Sequence, residues 1–337
     1  MTTSHPAIAC LGAGRMGRGI AVAFAYAGHK VTMIDVKPRS PDQFATLQSE
    51  ALGEVRKTLA SLTRFGLLTE GNADAIAARV SVVPAQDSAA ALADAGIVFE
   101  GVPEVVDLKR EVLAAASKCV GPEVIIASTT STILVDDISG AVEHPARFLN
   151  VHWLNPAYLI PLVELSPGVA TDPAVTARVK TLLEGIGKVP VVCAATPGYI
   201  VPRIQALAMN EAARMVEEGV ATPEDIDKAI KYGFGFRYAT MGLLEFIDWG
   251  GGDILYYASR YLEGALRSDR YRAPDVISRN MEQGRIGLRT GAGFLDYAGM
   301  DVDAWREQRL AALVDLLRHF GLARPPVLDR ENDRSSS

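Results

Sequence analysis

The chain of 337 residues is long for one hydrophobic core, so two domains are expected. Its 49% hydrophobic and 22% charged residues are those of an ordinary globular protein. A net charge of -6 with no clustered Lys/Arg stripe argues against a nucleic-acid surface. Cys10, Cys119 and Cys193 lie far apart, each in or beside an apolar run, which fits neither a disulfide framework nor a metal site. No apolar run approaches the roughly 20 residues that span a bilayer. The N-terminal MTTSHPA has no basic n-region ahead of its first strand. A cytoplasmic protein without membrane or nucleic-acid partners is the expectation.

Ala7 to Leu11 reads as a short buried strand. Gly12-Ala13-Gly14-Arg15-Met16-Gly17 follows at once, ahead of the alanine-rich helix predicted in GIAVAFAYAGH. This is G-x-G-x-x-G in its required context of strand, tight turn and helix. The first glycine permits the turn, the second lets the backbone approach a pyrophosphate, and the third lets helix and strand pack closely. With the free N–H groups of the helix start, Gly12, Gly14, Arg15, Met16 and Gly17 are candidate dinucleotide-binding residues. A second strand, Lys30 to Ile34, ends in Asp35, 23 residues after Gly12. An acid there accepts hydrogen bonds from the ribose hydroxyls and repels a 2′-phosphate, so NAD is expected over NADP. Lys37 and Arg39 just beyond offset part of that repulsion.

Residues 41 to 78 read as a polar, helical excursion in which Leu52, Val55, Leu59, Leu62 and Leu67 roughly follow a helical period. Arg56, Lys57 and Arg64 on it fit either a phosphorylated substrate arm or a solvated helix face. Strands predicted over 80–83, 97–101 and 124–128 alternate with helical stretches such as 108–118. That alternation means an α/β fold with a parallel, doubly wound sheet. Val102-Pro103-Glu104 and Ser128-Thr129-Thr130-Ser131 lie at carboxyl ends of its strands, the edge where such sheets bind ligands.

A further strand, Phe148 to His152, puts His152 on the same rim. Glu164 follows twelve residues later, flanked by Leu162, Val163 and Leu165, where a carboxylate buried without a partner is costly. A carboxylate that holds one imidazole nitrogen fixes the tautomer and leaves the other nitrogen for proton transfer. The same two residues also fit a satisfied core histidine and an edge-strand acid facing water. Val189 to Cys193 is expected to close the sheet, and the break at Ala195-Thr196-Pro197-Gly198 to end the first domain at residue 196.

Residues 197–323 read as an all-α domain with a long helix over Ile204–Glu218. Thr222-Pro223-Glu224-Asp225 is a strong helix start. Loops are expected at Gly250–Gly252 and Gly291–Phe294, and a last helix around Trp305–Phe320. Residues 324–337 are polar with few apolar anchors and read as a disordered tail.

These motifs together resemble the 3-hydroxyacyl-CoA dehydrogenase family over nearly the whole chain. The resemblance rests on the Gly12/Gly14/Gly17 loop with Asp35, V-P-E at Val102–Glu104 followed by Lys109, and S-T-T-S at Ser128–Ser131. H-x-x-N-P from His152 to Pro156, Glu164, the boundary T-P-G-Y-I-V, the P-E-D-I-D helix and the late T-G-x-G-F add to it. It implies NAD-dependent oxidation of the hydroxyl of a 3-hydroxyacyl group. His152 would take the hydroxyl proton, Glu164 would orient His152, and Ser131, with Asn155 beside it in the substrate site, would bind the substrate. Glu104 and Lys109 would line the nicotinamide side, and the helical domain would cover the cleft and form a homodimer.

Three departures bear on substrate and site. Pro202 stands where the family commonly has an asparagine of the catalytic cluster, and Asn210 is two helical turns further on. Pro161 stands where acyl-CoA members often carry lysine, and the run around it resembles relatives that oxidise free hydroxy acids, such as L-gulonate or carnitine dehydrogenases. Arg237, in Phe236-Arg237-Tyr238-Ala239, fits either bidentate pairing with a substrate carboxylate or an ordinary ion pair. A 3-hydroxyacyl-CoA, a free hydroxy acid and a non-catalytic dinucleotide-binding role therefore all stay open.

Overall fold

The computed structural model describes residues 5–326. The chain divides into two compact units, Met1–Met209 and Asn210–Ser337. That division falls inside a helix, thirteen residues beyond the break read from the sequence at residue 196. Most of the predicted tail, residues 327–337, lies outside the described residues.

The first unit opens with β1 (Ala7–Leu11), α1 (Arg15–Tyr26) and β2 (Val31–Ile34). The polar excursion forms α2 (Pro41–Arg64) and α3 (Glu70–Ala77), and leads to β3 (Val80–Val83). Ser40 starts α2 with a reciprocal capping box to Gln43, and Pro41 takes the first helical position, where no N–H is needed. Then come α4 (Ser88–Ala93), β4 (Ala95–Glu100), α5 (Val106–Cys119), β5 (Ile125–Ser128), α6 (Val135–Ser139) and β6 (Phe148–Trp153). β7 (Leu162–Pro167), α7 (Pro173–Gly185) and β8 (Val189–Val192) complete the sheet.

The eight strands run in the order β3-β2-β1-β4-β5-β6-β7-β8. Pairing is parallel from β3 through β6, so the first six strands share one direction and strand order reverses between β1 and β4. The parallel, doubly wound sheet expected from the sequence is present, with one antiparallel pair at its far end that the sequence reading did not foresee. β7 returns antiparallel to β6, and β8 pairs parallel to β7.

Alternation along β1 explains the two-sided core. Ile8 and Cys10 join Ile20, Phe24, Val55, Phe99 and Trp153 on one face, while Ala9 and Leu11 join Leu92, Leu113, Ile138 and Phe148 on the other. The first face is covered by α1, α2, α3 and α7, and the second by α4, α5 and α6. A sheet buried on both sides needs apolar residues at nearly every position, which is why these strands read as continuous apolar runs.

α8 (Val201–Glu217) begins in the first unit and ends in the second. The second unit continues with α9 (Pro223–Ala229), a π-helical turn at Ile230–Gly235, α10 (Phe236–Tyr238), α11 (Leu243–Gly250), α12 (Gly252–Leu266), α13 (Asp275–Glu282) and α14 (Val302–His319). Thr222 caps α9 through the Asp225 N–H, as its sequence predicts. The late T-G-x-G-F motif is a structural clasp. Buried Asp248 accepts hydrogen bonds from the Phe294 and Leu295 N–H groups and the Tyr297 hydroxyl. A Cβ on Gly293 would stand 2.1 Å from the Asp248 carboxylate, so the turn requires glycine there.

Candidate active site

The glycine loop lies between β1 and α1. Gly12 has φ +107°, and Gly17 packs so closely that a Cβ there would lie 2.1 Å from the Gly12 carbonyl oxygen. Gly14 differs: nothing lies within 4 Å of a Cβ built on it. It is the N-cap of α1 and supplies no side-chain cap, so the first N–H groups of the helix donate to no capping side chain. A cavity of about 370 Å³ opens there, lined among others by Gly14, Arg15, Met16, Asp35 and Arg39. Donors, helix dipole and room at Gly14 all suit a pyrophosphate. Asp35, 5% exposed, ends β2 beside this cavity. Its Oδ2 accepts from the Arg39 guanidinium at 2.5 Å and its Oδ1 from the Lys37 N–H at 3.4 Å.

Glu104 lies at the carboxyl end of β4, in a nest of donors. One oxygen accepts from the Thr130 hydroxyl, the Ser131 and Thr132 N–H groups at 3.0 Å and the Thr132 hydroxyl at 2.9 Å. Burial alone would raise its pKa. The Thr130 hydroxyl, the Lys109 charge and the Thr132 hydroxyl and N–H outweigh that and hold the carboxyl down to about 2. Glu104 therefore fastens the loop after β5 while its second oxygen faces Lys109 at 3.4 Å.

Lys109 itself is 1% exposed. Its ammonium contacts both oxygens of fully buried Glu100, at 2.8 and 3.1 Å, and the Val102 carbonyl at 3.2 Å. With its donors so used, it has no surface for a ligand, and its expected place beside the nicotinamide is corrected to a buried support of the Glu100–Glu104 turn. Ser128 donates to the other side of Glu100 at 2.5 Å. Sequence reading passed over Glu100, although a lone acid closing the apolar run AGIVF carries the same signal as Glu164.

His152 and Glu164 are direct partners in the β6–β7 ladder. His152 is 6% exposed and Glu164 fully buried. The imidazole Nδ1 lies 2.8 Å from Glu164 Oε2. The second oxygen, Oε1, accepts the N–H groups of Ile200 at 2.9 Å and Val201 at 2.8 Å. A carboxylate offers only acceptors, so Nδ1 carries the proton and Nε2 is the free nitrogen. Tyr199, which the sequence reading treated only as part of a boundary motif, stacks on the imidazole with centroids 5.0 Å apart and planes 4° apart.

Ser131 is exposed, and its hydroxyl makes no hydrogen bond among the described residues. Asn155 lines a different cavity of about 320 Å³ between α1 and α2, with Arg15, Arg18, Glu54 and Thr58. Pro202 occupies the second position of α8, where a missing N–H breaks no helical bond. Arg56 and Arg64 line a shallow cavity between α2 and α3 that also carries Glu70 and Asp74. Asn210 and Arg237 belong to the second unit. Arg237 is exposed, lies over the Phe246 ring at 5.2 Å, and pairs with no carboxylate among the described residues.

A doubly wound sheet with this loop at the point where strand order reverses is the arrangement of a dinucleotide-binding protein. The model of the 3-hydroxyacyl-CoA dehydrogenase NAD binding domain matches residues 7–196, and that of the family's C-terminal domain residues 198–297. A 3-hydroxybutyryl-CoA dehydrogenase of Bradyrhizobium diazoefficiens is 33% identical over 87% of this chain and 95% of its own. The 5-formyl-3-hydroxy-2-methylpyridine 4-carboxylate 5-dehydrogenase of Mesorhizobium japonicum is 30% identical over 92% of this chain and 97% of its own. Among solved structures, a 3-hydroxyacyl-CoA dehydrogenase from Archaeoglobus fulgidus superposes with a TM-score of 0.74 at 32% identity, covering 95% of this chain and all of that one. The chain belongs to the 3-hydroxyacyl-CoA dehydrogenase family and is an NAD-dependent oxidoreductase acting on CH–OH groups. No helix among the described residues is long and apolar enough to cross a membrane.

Proposed function

We propose that this protein oxidises the hydroxyl of a 3-hydroxyacyl-CoA, of the 3-hydroxybutyryl-CoA type, to the 3-oxo thioester. The observation that carries the reading is the His152–Glu164 pair, in which both carboxylate oxygens are engaged and Nε2 alone is left to act. NAD supplies the hydride acceptor. The loop from Gly12 to Gly17 and the start of α1 hold its pyrophosphate, and Asp35 takes its ribose. His152 Nε2 accepts the hydroxyl proton as the C–H bond breaks. Glu164 keeps the imidazole in the right tautomer and balances the charge that forms on it. The Ser131 hydroxyl, which makes no hydrogen bond among the described residues, would hold the substrate oxygen, on a loop that Glu104 fastens through the Ser131 and Thr132 N–H groups.

A second reading has one observation in its favour. Arg237 is a guanidinium without a carboxylate partner among the described residues, and such a group suits a free hydroxy acid. The relative from Mesorhizobium japonicum is itself named for a carboxylate substrate. NADH formation, followed by absorbance with (S)-3-hydroxybutyryl-CoA and L-gulonate in parallel, separates the two. Turnover of the thioester supports the acyl-CoA reading, and turnover of the free acid alone replaces it. Silence on both removes both substrates and turns the search to other hydroxy acids.

We also infer that the second unit pairs with a second copy of the chain. Its buried apolar set is small (Ile226, Met241, Ile277, Leu288 and Tyr297), while Ile230, Tyr232, Ile254, Tyr257 and Tyr261 are exposed. An apolar display of this kind marks an interface. Light scattering at micromolar concentration should give twice the mass of one chain, and a monomer would remove the inference.

A further inference from the structure

We propose that Tyr199 is a positioning residue with two separate tasks: its ring shields and orients His152, and its hydroxyl anchors the loop that carries Ser131. The proposal rests on the reading of His152 as the base. Four observations converge on this one side chain. The ring lies parallel to the imidazole at 5.0 Å, and both residues are almost fully buried. The phenol hydroxyl donates to the Thr130 carbonyl at 2.9 Å and accepts from Asn150 Nδ2 at 3.2 Å. The direction of that chain of bonds is fixed, because Asn150 Nδ2 also donates to the Ile133 carbonyl at 2.9 Å, and reversing the amide would set oxygen against oxygen. Burial pushes the phenol pKa well up, which keeps it a donor.

The fourth observation is the backbone. Tyr199 has φ +46°, a left-handed conformation that bulky residues avoid and that persists only where the surroundings enforce it. Adopting it lets the next two N–H groups, of Ile200 and Val201, reach Glu164 Oε1 while the Tyr199 ring turns back onto His152. One three-residue stretch thus grips the carboxylate, covers the imidazole and ties down Thr130. Thr130 also donates to Glu104 and precedes Ser131, so the hydroxyl and ring of Tyr199 join the two halves of the site.

The two tasks separate by substitution. Tyr199→Phe keeps the ring and removes the hydroxyl, and Tyr199→Leu removes both. The first measurement needs no substrate: exchange of the His152 Nδ1–H with water, read by NMR of protein labelled with 15N-histidine, in which only five histidines contribute and His152→Ala assigns the signal. Exchange should be unchanged in Tyr199→Phe and about tenfold or more faster in Tyr199→Leu, because the shielding ring is gone. Equal exchange in Tyr199→Leu and the parent chain overturns the shielding task.

The second measurement is steady-state kinetics with whichever hydroxy substrate is turned over. Tyr199→Phe should raise KM for that substrate roughly fivefold to tenfold with kcat little changed, the size expected when a buried hydrogen-bonded hydroxyl is lost. Tyr199→Leu should lower kcat as well. If both variants lose only thermal stability and keep KM and kcat, the anchoring task is overturned and Tyr199 is merely structural. Failure of the base assignment shows up elsewhere, as near-normal turnover in His152→Ala, and leaves the exchange result standing by itself.

Discussion

Nδ1 of His152 and Oε2 of Glu164 meet at 2.8 Å because their residues stand directly opposite each other on two antiparallel strands. Facing residues of such a pair project to the same side of the sheet, so the ladder itself delivers carboxylate to imidazole. His152→Ala should lower kcat by about 10²–10⁴, the usual worth of a positioned base, with NAD affinity unchanged. Glu164→Gln should cost roughly 10² or more, since an amide can present its N–H to Nδ1 and favour the wrong tautomer. Near-normal kcat in His152→Ala would falsify its role as the base.

In the proposed binding mode, with Asp35 taking the ribose, Arg39 competes with the cofactor for that carboxylate. With its guanidinium on Oδ2, the charge at the ribose site is partly neutralised, and a 2′-phosphate meets Arg39 and Lys37 as well as the acid. Arg39→Ala should therefore widen the preference for NAD over NADP by about tenfold, corresponding to ~1.4 kcal/mol. Dissociation constants for both dinucleotides, from quenching of intrinsic fluorescence, provide the check. An unchanged ratio means that Arg39 swings clear of the ribose site.

The buried pair of Lys109 and Glu100 makes a stability prediction with a built-in control. Lys109→Met leaves a fully buried carboxylate without its cation, a loss of about 3–5 kcal/mol. The double variant Lys109→Met/Glu100→Gln removes the stranded charge and should recover much of that loss. Chemical denaturation of the three proteins decides it, and equal instability of the single and double variants counts against the account.

Glu104 contributes a pH dependence whose sign follows from its depressed pKa. A carboxyl held down to about 2 from its ordinary 4.5 adds stability at any pH above 4.5, and that contribution fades as pH falls from about 4.5 towards 2. Glu104→Gln should accordingly lower Tm by a constant amount at neutral pH, with the gap to the parent chain closing in acid. A gap that stays constant down to pH 3 would show that the donor nest does not favour the ionised form.

Much of this was readable in the chain. The six parallel strands are apolar runs because both faces are buried, and the glycine loop announces itself because each glycine answers a separate constraint of contact, turn or open space. The spacing of His152 and Glu164 raised the right pairing. What escaped were features fixed only in three dimensions. The direction of β7 depends on how the eight residues between Trp153 and Leu162 fold back, and apolar pattern is blind to strand direction. Lys109 looked like a ligand because nothing in its neighbourhood announces burial; its partner Glu100 lies nine residues away on another element. Tyr199 was hidden inside T-P-G-Y-I-V, where the proline and glycine explain the break so well that the aromatic residue passes as filler. The helix α7 carried an Asp-Pro start signal that reading of the sheet overlooked.

The antiparallel pairing of β6 with β7 also makes the active site a test of assembly. Side chains on a strand alternate with period two, so a slip of one residue along this ladder would turn Glu164 to the other face and set Val163 or Leu165 against His152. A chain zipped one step out of place would have no partially working base; it would have an imidazole of undefined tautomer and an acid stranded in the opposite core. Activity in this protein is in that sense all-or-none with respect to register, and a turnover assay on refolded material counts correctly threaded molecules rather than folded ones.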